Sequence, residues 1–243
     1  MLYFYVNKME IDNIILLRTL ILLLPFFILG AYFYYKVRDP FFLKPRTHIQ
    51  LNIIMLALVI VFLELVYWNL SLRNYVFMGF GLSHQGAKDS PNTILVLLGI
   101  VAAILGWLFP TRASAVATTR NHSIQTLMES RLSETYTSQV AKCTEVLVDF
   151  KKHNGENYAL TVMDFNGLDQ EKKNAIHYLL NYLEFVSVGV RFGDLDENLM
   201  KNMMKSIINS NVAFFGEIIR DKQAKSPTLY EHLTALHKRW NCL

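Results

Sequence analysis

Three long apolar runs in the first 109 residues limit what this chain can become more than any other feature does. They are Thr19–Tyr35 (TLILLLPFFILGAYFYY), Ile49–Trp68 (IQLNIIMLALVIVFLELVYW) and Thr93–Phe109 (TILVLLGIVAAILGWLF), of 17, 20 and 17 residues. A helix rises about 1.5 Å per residue, so the shorter runs reach roughly 25 Å and gain the rest from a flanking turn. These lengths match the hydrocarbon core of a bilayer, and the runs hold almost no charge. A soluble core of a 243-residue chain does not need three such runs in one stretch. The expectation is three transmembrane helices, at about 14–35, 49–68 and 93–109, forming a membrane domain over residues 1–110. A cleaved signal peptide is disfavoured, because the first run is too long and follows the acids Glu10 and Asp12.

Basic residues in the connecting loops set the expected orientation. The loop Lys36–His48 carries Lys36, Arg38, Lys44 and Arg46, whereas Asn69–Asn92 carries only Arg73 and Lys88. Arg112 and Arg120 follow the third run. The amino terminus is therefore expected outside, with residues 111–243 in the cytoplasm of a multi-pass inner-membrane protein. The two cysteines, Cys143 and Cys242, imply no disulfide framework, and a reducing compartment is the default.

From Pro110 onward the texture becomes that of soluble helix. Residues 111–243 hold 16 Lys/Arg and 15 Asp/Glu, nearly balanced. That is not the concentrated basic footprint that phosphate backbones require, so nucleic acid is not an expected partner. Apolar positions at threes and fours predict one helix from Arg112 to Lys152, running on from the third span, with Ile124, Met128, Leu132, Tyr136, Val140, Cys143, Leu147 and Phe150 inward. A second helix is predicted over 169–191, stopped by Gly193. A third follows to Lys222, capped by Asp194 or Asp196, with Glu197 completing a capping box on Asp194. Ser226 and Pro227 predict the start of a fourth, ending near Trp240. The stretch containing DFNGLD reads as a loop. The whole is an all-α chain: three transmembrane helices, then a cytoplasmic four-helix domain with a long linker helix.

The stretch NYLEFVSVGVRFGDLDENL, Asn181 to Leu199, raises the question of a buried charge at Glu184. On the helix 169–191 the apolar residues take most of the circumference. His177, Asn181, Glu184, Ser187 and Arg191, spaced 4, 3, 3 and 4, line one narrow stripe. That set can bind an anion, coordinate a metal or exchange protons. The competing reading is a polar seam in which Glu184 pairs locally, and then Glu184→Gln should cost no more than about 1 kcal/mol. The helix is apolar enough to be the central element of its bundle.

Here the chain resembles a known family. GWLFPTRASAVATTRNHSIQTLMESRLS followed by YLLNYLEFVSVGVRFGDLDENLM resembles a bacterial membrane-anchored family catalogued only as a domain of unknown function, over roughly residues 93–240. The resemblance implies transmembrane helices with a C-terminal helical domain. It implies no activity, and it supplies no catalytic residues.

Other chemistry is weakly supported. Asp194, Asp196 and Asn198 begin like a calcium loop, but the glycine required at the sixth place is Leu199 and the glutamate at the twelfth is Lys205. His232 and His237 lie five apart and do not share a helix face as metal ligands would. No Arg precedes a His at the four-to-six-residue spacing of helical ribonucleases. No metal, cofactor or catalytic residue is therefore assigned. Within the spans, Arg18 and Glu64 lie at matching depth and are expected to form an intramembrane ion pair, since an isolated charge there is costly. Gly99, Ala102, Ala103 and Gly106 form a small-residue surface suited to close helix packing, within one chain or between copies.

The functional expectation is a non-enzymatic membrane scaffold, sensor or effector. It would contact the lipid bilayer and itself as a homo-oligomer, with a stress- or phage-responsive membrane effector as one concrete form. The alternatives are a channel or transporter accessory using Arg18 and Glu64, or an unrecognised enzyme using the His177–Glu184 stripe.

Overall fold

A computed structural model describes the backbone of residues 2–71 and 92–242, and side chains for 16–17, 19–35, 38–67 and 96–242. All regular structure among the described residues is helical. Packing divides the chain into two units. The first comprises Met1–Asp39 and Arg46–Ala115, and the second Pro40–Pro45 and Val116–Leu243.

In the first unit, α1 (Leu2–Tyr32) runs into a short π-helical segment, Phe33–Val37, and packs on α2 (Thr47–Ser71). The helix α3 (Asn92–Leu132) begins in this unit. Two stretches are long and apolar enough to cross a bilayer, Thr47–Tyr67 and Val96–Leu132, and Thr19–Tyr35 is a shorter apolar helix. Large apolar side chains such as Leu20, Ile28, Leu56, Leu63, Ile100 and Trp107 stand exposed on these helices. Pro110 does not open a helix; it lies inside α3. Its ring nitrogen has no proton for the carbonyl four residues back, a loss tolerated more readily in apolar helices than in soluble ones.

The second unit starts with a correction. The helix predicted from Arg112 to Lys152 is two helices, because Ser133 is extended (φ −70°, ψ 125°) and its side chain accepts from the amide of Tyr136. This cap ends α3 and opens α4 (Glu134–Asn154). The break shifts the inward face. Ser123 and Leu127 of α3 are buried, while Ile124, Met128 and Leu132 are exposed. In α4 the buried residues are Tyr136, Cys143 and Val146. Gly155, at φ 99°, closes α4 in a backbone region that L side chains avoid.

The loop around DFNGLD contains a six-residue helix, α5 (Val162–Gly167). A capping box nucleates it: Asp164 N–H donates to the Thr161 hydroxyl, and the Asp164 carboxylate accepts from Thr161 N–H. The Thr161 hydroxyl, and then the Tyr158 hydroxyl, donate to the Asp164 carboxylate and hold it below the ordinary aspartate value.

The helix α6 (Gln170–Phe192) is capped by Asp169 and closed by Gly193 in the left-handed region, as its sequence predicts. It packs against α4, α7 (Glu197–Lys225) and α8 (Glu231–Asn241). Its buried face is Ala175, Ile176, Leu179, Leu180, Leu183, Val186 and Val190. Against this face lie Met200, Met204, Ile208, Phe215, Leu233, Leu236 and Trp240, all in one core. At the α6–α7 turn the Gly189 carbonyl accepts from both Asp194 and Leu195. Leu195 folds over Gly189 so closely that a Cβ there would lie 2.6 Å from Leu195 Cδ1.

The structure chooses between the two candidate caps of α7 and moves the start of the last helix. Asp196, not Asp194, caps α7 by accepting from Leu199 N–H, so Glu197 completes no box with Asp194. Ser226 does not open the last helix: it terminates α7, and a turn follows before α8 begins at Glu231.

Candidate functional site

The unusual start of α8 defines the site. Its N-cap residue, Tyr230, sits at φ 58° and contributes no side-chain cap. The first amides of a helix need acceptors, and leaving them bare in a packed region is costly. Glu184, on α6, supplies them. Its carboxylate accepts from His232 N–H at 3.1 Å and from Leu233 N–H at 2.7 Å. A negative charge at that end also complements the helix dipole. The half-buried acid of the sequence is thus a cap supplied across 48 residues of chain.

Two turns further along α6, Arg191 Nη1 lies 3.0 Å from His232 Nδ1. A guanidinium can only donate, so Nδ1 accepts and the ring proton sits on Nε2. Nε2 faces Glu231 Oε1 at 3.3 Å. Glu184, Arg191, Glu231 and His232 therefore form one cluster where α6 meets α8.

The same cluster holds a segment from far away in sequence. Pro40–Pro45 (PFFLKP) belongs to this unit. Leu43 N–H donates to the Arg191 carbonyl at 2.9 Å, and Arg191 Nε donates to the Phe41 carbonyl at 3.3 Å. The Arg191 guanidinium lies 5.6 Å from the Phe41 ring centre. That of Arg239, on α8, lies 4.5 Å from Phe41 and 5.1 Å from Phe42. Lys44 sits 5.1 Å over Phe192. All four distances fall inside the roughly 6 Å over which a cation is drawn to an aromatic face. Glu197 orients Arg239 through a two-point ion pair, with Nη2 3.3 Å from Oε2. Phe41 and Phe42 are half-buried, and Phe41 packs on the core.

The other stripe residues do not join this cluster. Asn181 is exposed, and the buried Ser187 hydroxyl donates to the Leu183 carbonyl at 2.7 Å. His177 lies seven residues, about 10 Å of helix, from Glu184. It packs edge-on against Phe165 at 5.5 Å, and burial, then Lys222, hold it below the ordinary histidine value. The stripe is one run of polar positions along a helix but four separate environments.

Of the residues singled out in the apolar runs, the Arg18 side chain lies outside the described residues, as does the loop 72–91. Glu64 Oε1 is shielded from solvent and has no hydrogen-bond partner among the described residues. Gly99, Ala102, Ala103 and Gly106 are exposed, and a Cβ at either glycine would meet nothing within 4 Å. Among the described residues no three His, Cys, Asp or Glu side chains gather in a way that could hold a metal ion.

Sequence reasoning missed Phe41, Phe42 and Arg239, and it weighed Glu197 only as a capping-box residue and His232 only as a metal ligand. One signal was present: two phenylalanines bracketed by prolines inside an otherwise basic loop, an aromatic pair that water solvates poorly.

A family model, Domain of unknown function (DUF4760), matches residues 93–240. The chain belongs to this family. The DUF4760 match takes in α3 through Trp240, and so includes Glu184, Arg191, His232 and Arg239. Pro40–Pro45, the segment they hold, lies outside it. No curated protein matches the chain, and no solved structure does.

Proposed function

We propose that this DUF4760 protein is an integral membrane protein with three spans, at about 14–35, 49–68 and 93–109. Residues 1–110 form the membrane domain, and 111–243 form a helical domain that acts as a non-enzymatic scaffold, sensor or effector. In this reading the amino terminus is external, the helical domain is cytoplasmic, and the membrane is the inner membrane. One observation carries the coupling: PFFLKP, which in sequence lies between two apolar helices, is gripped by Arg191 and Arg239 of the helical domain. A displacement of the first two spans would pull on a segment bonded to the ends of α6 and α8. Exposed apolar side chains along α1, α2 and α3 support the lipid-facing reading, since such surface is unfavourable in water. A stress- or phage-responsive effector is one form this coupling can take.

The test uses the full chain reconstituted in liposomes of two acyl-chain lengths, with amide exchange followed in α8. The wild type should change its α8 protection with bilayer thickness, and the Phe41→Ala/Phe42→Ala variant should lose that response. An identical response in the variant refutes coupling through the segment. Release of the chain by alkaline extraction refutes membrane integration itself.

A channel or transporter accessory is the second reading. It is supported by the shielded Glu64 oxygen, without a hydrogen-bond partner among the described residues, in an apolar helix, because charged groups at such depth tend to mark pathways.

A further inference from the structure

The hold on PFFLKP has the form of a recognition site with its ligand in place. The segment is not helical: it turns at residues 40–41 and bends at 43–44. Arg191 reads its main chain in two places, since its carbonyl accepts from Leu43 N–H and its Nε donates to the Phe41 carbonyl. These bonds set the register on either side of Phe42 and do not depend on side-chain identity. Selectivity comes from the rings. Phe41 lies within cation–π reach of both guanidiniums, and Phe42 within reach of Arg239. Main chain for register and side chains for choice is the general division in peptide recognition. Leu43, Lys44 and Pro45 stay exposed, so the two phenylalanines are the anchors.

The groove is built without the segment's help. Glu197 holds Arg239, and His232 accepts from Arg191 while Glu184 holds the His232 amide. Each of these supports lies in α6, α7 or α8. Both guanidiniums therefore keep a partner when the segment leaves, and a site ordered in advance costs less to refill. The family match takes in all three helices and excludes the segment, so groove and occupant are separable parts of the chain.

We propose that this groove docks a second protein, one presenting an adjacent Phe–Phe pair in a short non-helical turn. PFFLKP then occupies it as a built-in competitor. A partner's amide would need the Arg191 carbonyl that Leu43 uses, and its rings the guanidinium faces that Phe41 and Phe42 cover. Only one of the two can be seated at a time. Docking rests on the reading of PFFLKP as the coupling segment, and adds that withdrawing the segment opens the groove to a partner.

The probe is a fluorescein-labelled peptide, DPFFLKPR, titrated into the full chain and followed by anisotropy. The chain is held in nanodiscs when it stays with the bilayer, and in buffer when alkaline extraction releases it. A tethered competitor acts at an effective concentration of about millimolar, so removing it should tighten binding by about tenfold or more. Phe41→Ala/Phe42→Ala should show that gain over the wild type. Phe41 packs on the core, so Leu43→Pro supplies a second opening. It keeps both rings and deletes the amide that the Arg191 carbonyl accepts, and it too should bind several-fold tighter. Adding Arg239→Lys to either variant keeps a charge beside Glu197 but loses the planar guanidinium, and affinity should fall several-fold. A peptide of the same composition with its phenylalanines separated should bind no better than it does to empty nanodiscs or buffer controls. Three results overturn the proposal: equal affinity in the wild type and both opened variants, no binding to any of them, or equal binding of the separated-phenylalanine peptide. Coupling and docking fail separately. Peptide binding without any response of α8 to bilayer thickness refutes coupling alone, and a thickness response without peptide binding refutes docking alone.

Discussion

Replacing Glu184 with Gln perturbs one carboxylate and two backbone amides, and the geometry fixes the size of the effect. The carboxylate accepts from His232 and Leu233 at the first turn of α8, and Tyr230 offers no alternative cap. Gln has one acceptor oxygen, so it can keep one of the two bonds. Its amide then points a donor at the other N–H. A bond to a charged group contributes about 1.5–3 kcal/mol, and the charge–dipole interaction adds about 0.3–1 kcal/mol. Glu184 is only half-buried, so water recovers part of this, and the expected loss is about 2 kcal/mol. That is twice what a polar seam would predict. For a domain of this size it corresponds to a fall in Tm of roughly 6–10 °C. The assay is thermal unfolding followed by circular dichroism, paired with residue-resolved amide exchange. The amides of His232 and Leu233 should lose protection beyond the general decrease across α4 and α6. An unchanged Tm, or a loss spread evenly with no excess at those two amides, would refute the capping argument.

Gly189→Ala should destabilise by about 1–3 kcal/mol, since its Cβ would meet Leu195 Cδ1 and Cγ at 2.6 and 2.7 Å. Ordinary helix propensity predicts a gain instead, and a thermal melt distinguishes the two signs. Burial pushes the Cys143 thiol up to about 12, so at pH 8 a maleimide should label the exposed Cys242 and spare Cys143 until the chain is unfolded. The sign for stability follows from the same raised value. The contribution of Cys143 is complete below the ordinary thiol range near pH 9 and is lost as pH rises toward 12, so Cys143→Ala should flatten that part of the alkaline unfolding curve.

Local signals were legible where neighbours in sequence are neighbours in space. Asp169 and Gly193 bound α6 because a cap and a left-handed stop act within a turn of their own residue. The buried face of α6 follows from its period for the same reason. The break at Ser133 was obscured because apolar residues keep their three–four spacing across it, so a pattern followed through the break carries the wrong phase into α3. Ser226 and Pro227 are good helix openers, yet tertiary structure overrides them: Ser226 ends α7, and Glu184 caps α8 from a distance. In the site, Glu184 and Arg191 were visible as a polar stripe, but their partners were not. His232 lies 41 residues from Arg191, and Phe41 lies 150 away. No periodicity reports a contact of that range.

The grip on PFFLKP also sets an order of events during synthesis. Arg239 follows Phe41 by 198 residues and is made well after it. At about 5–20 residues per second, the aromatic pair waits roughly 10–40 s after its own synthesis before that partner exists. The apolar helices on either side are translated well before α6 and α8. Locking of the segment therefore waits until α8 has been made. A nascent chain arrested before α8 would carry the two phenylalanines without Arg239, which makes this segment a natural place for a chaperone or a protease to tell copies that lack α8 from copies that have it.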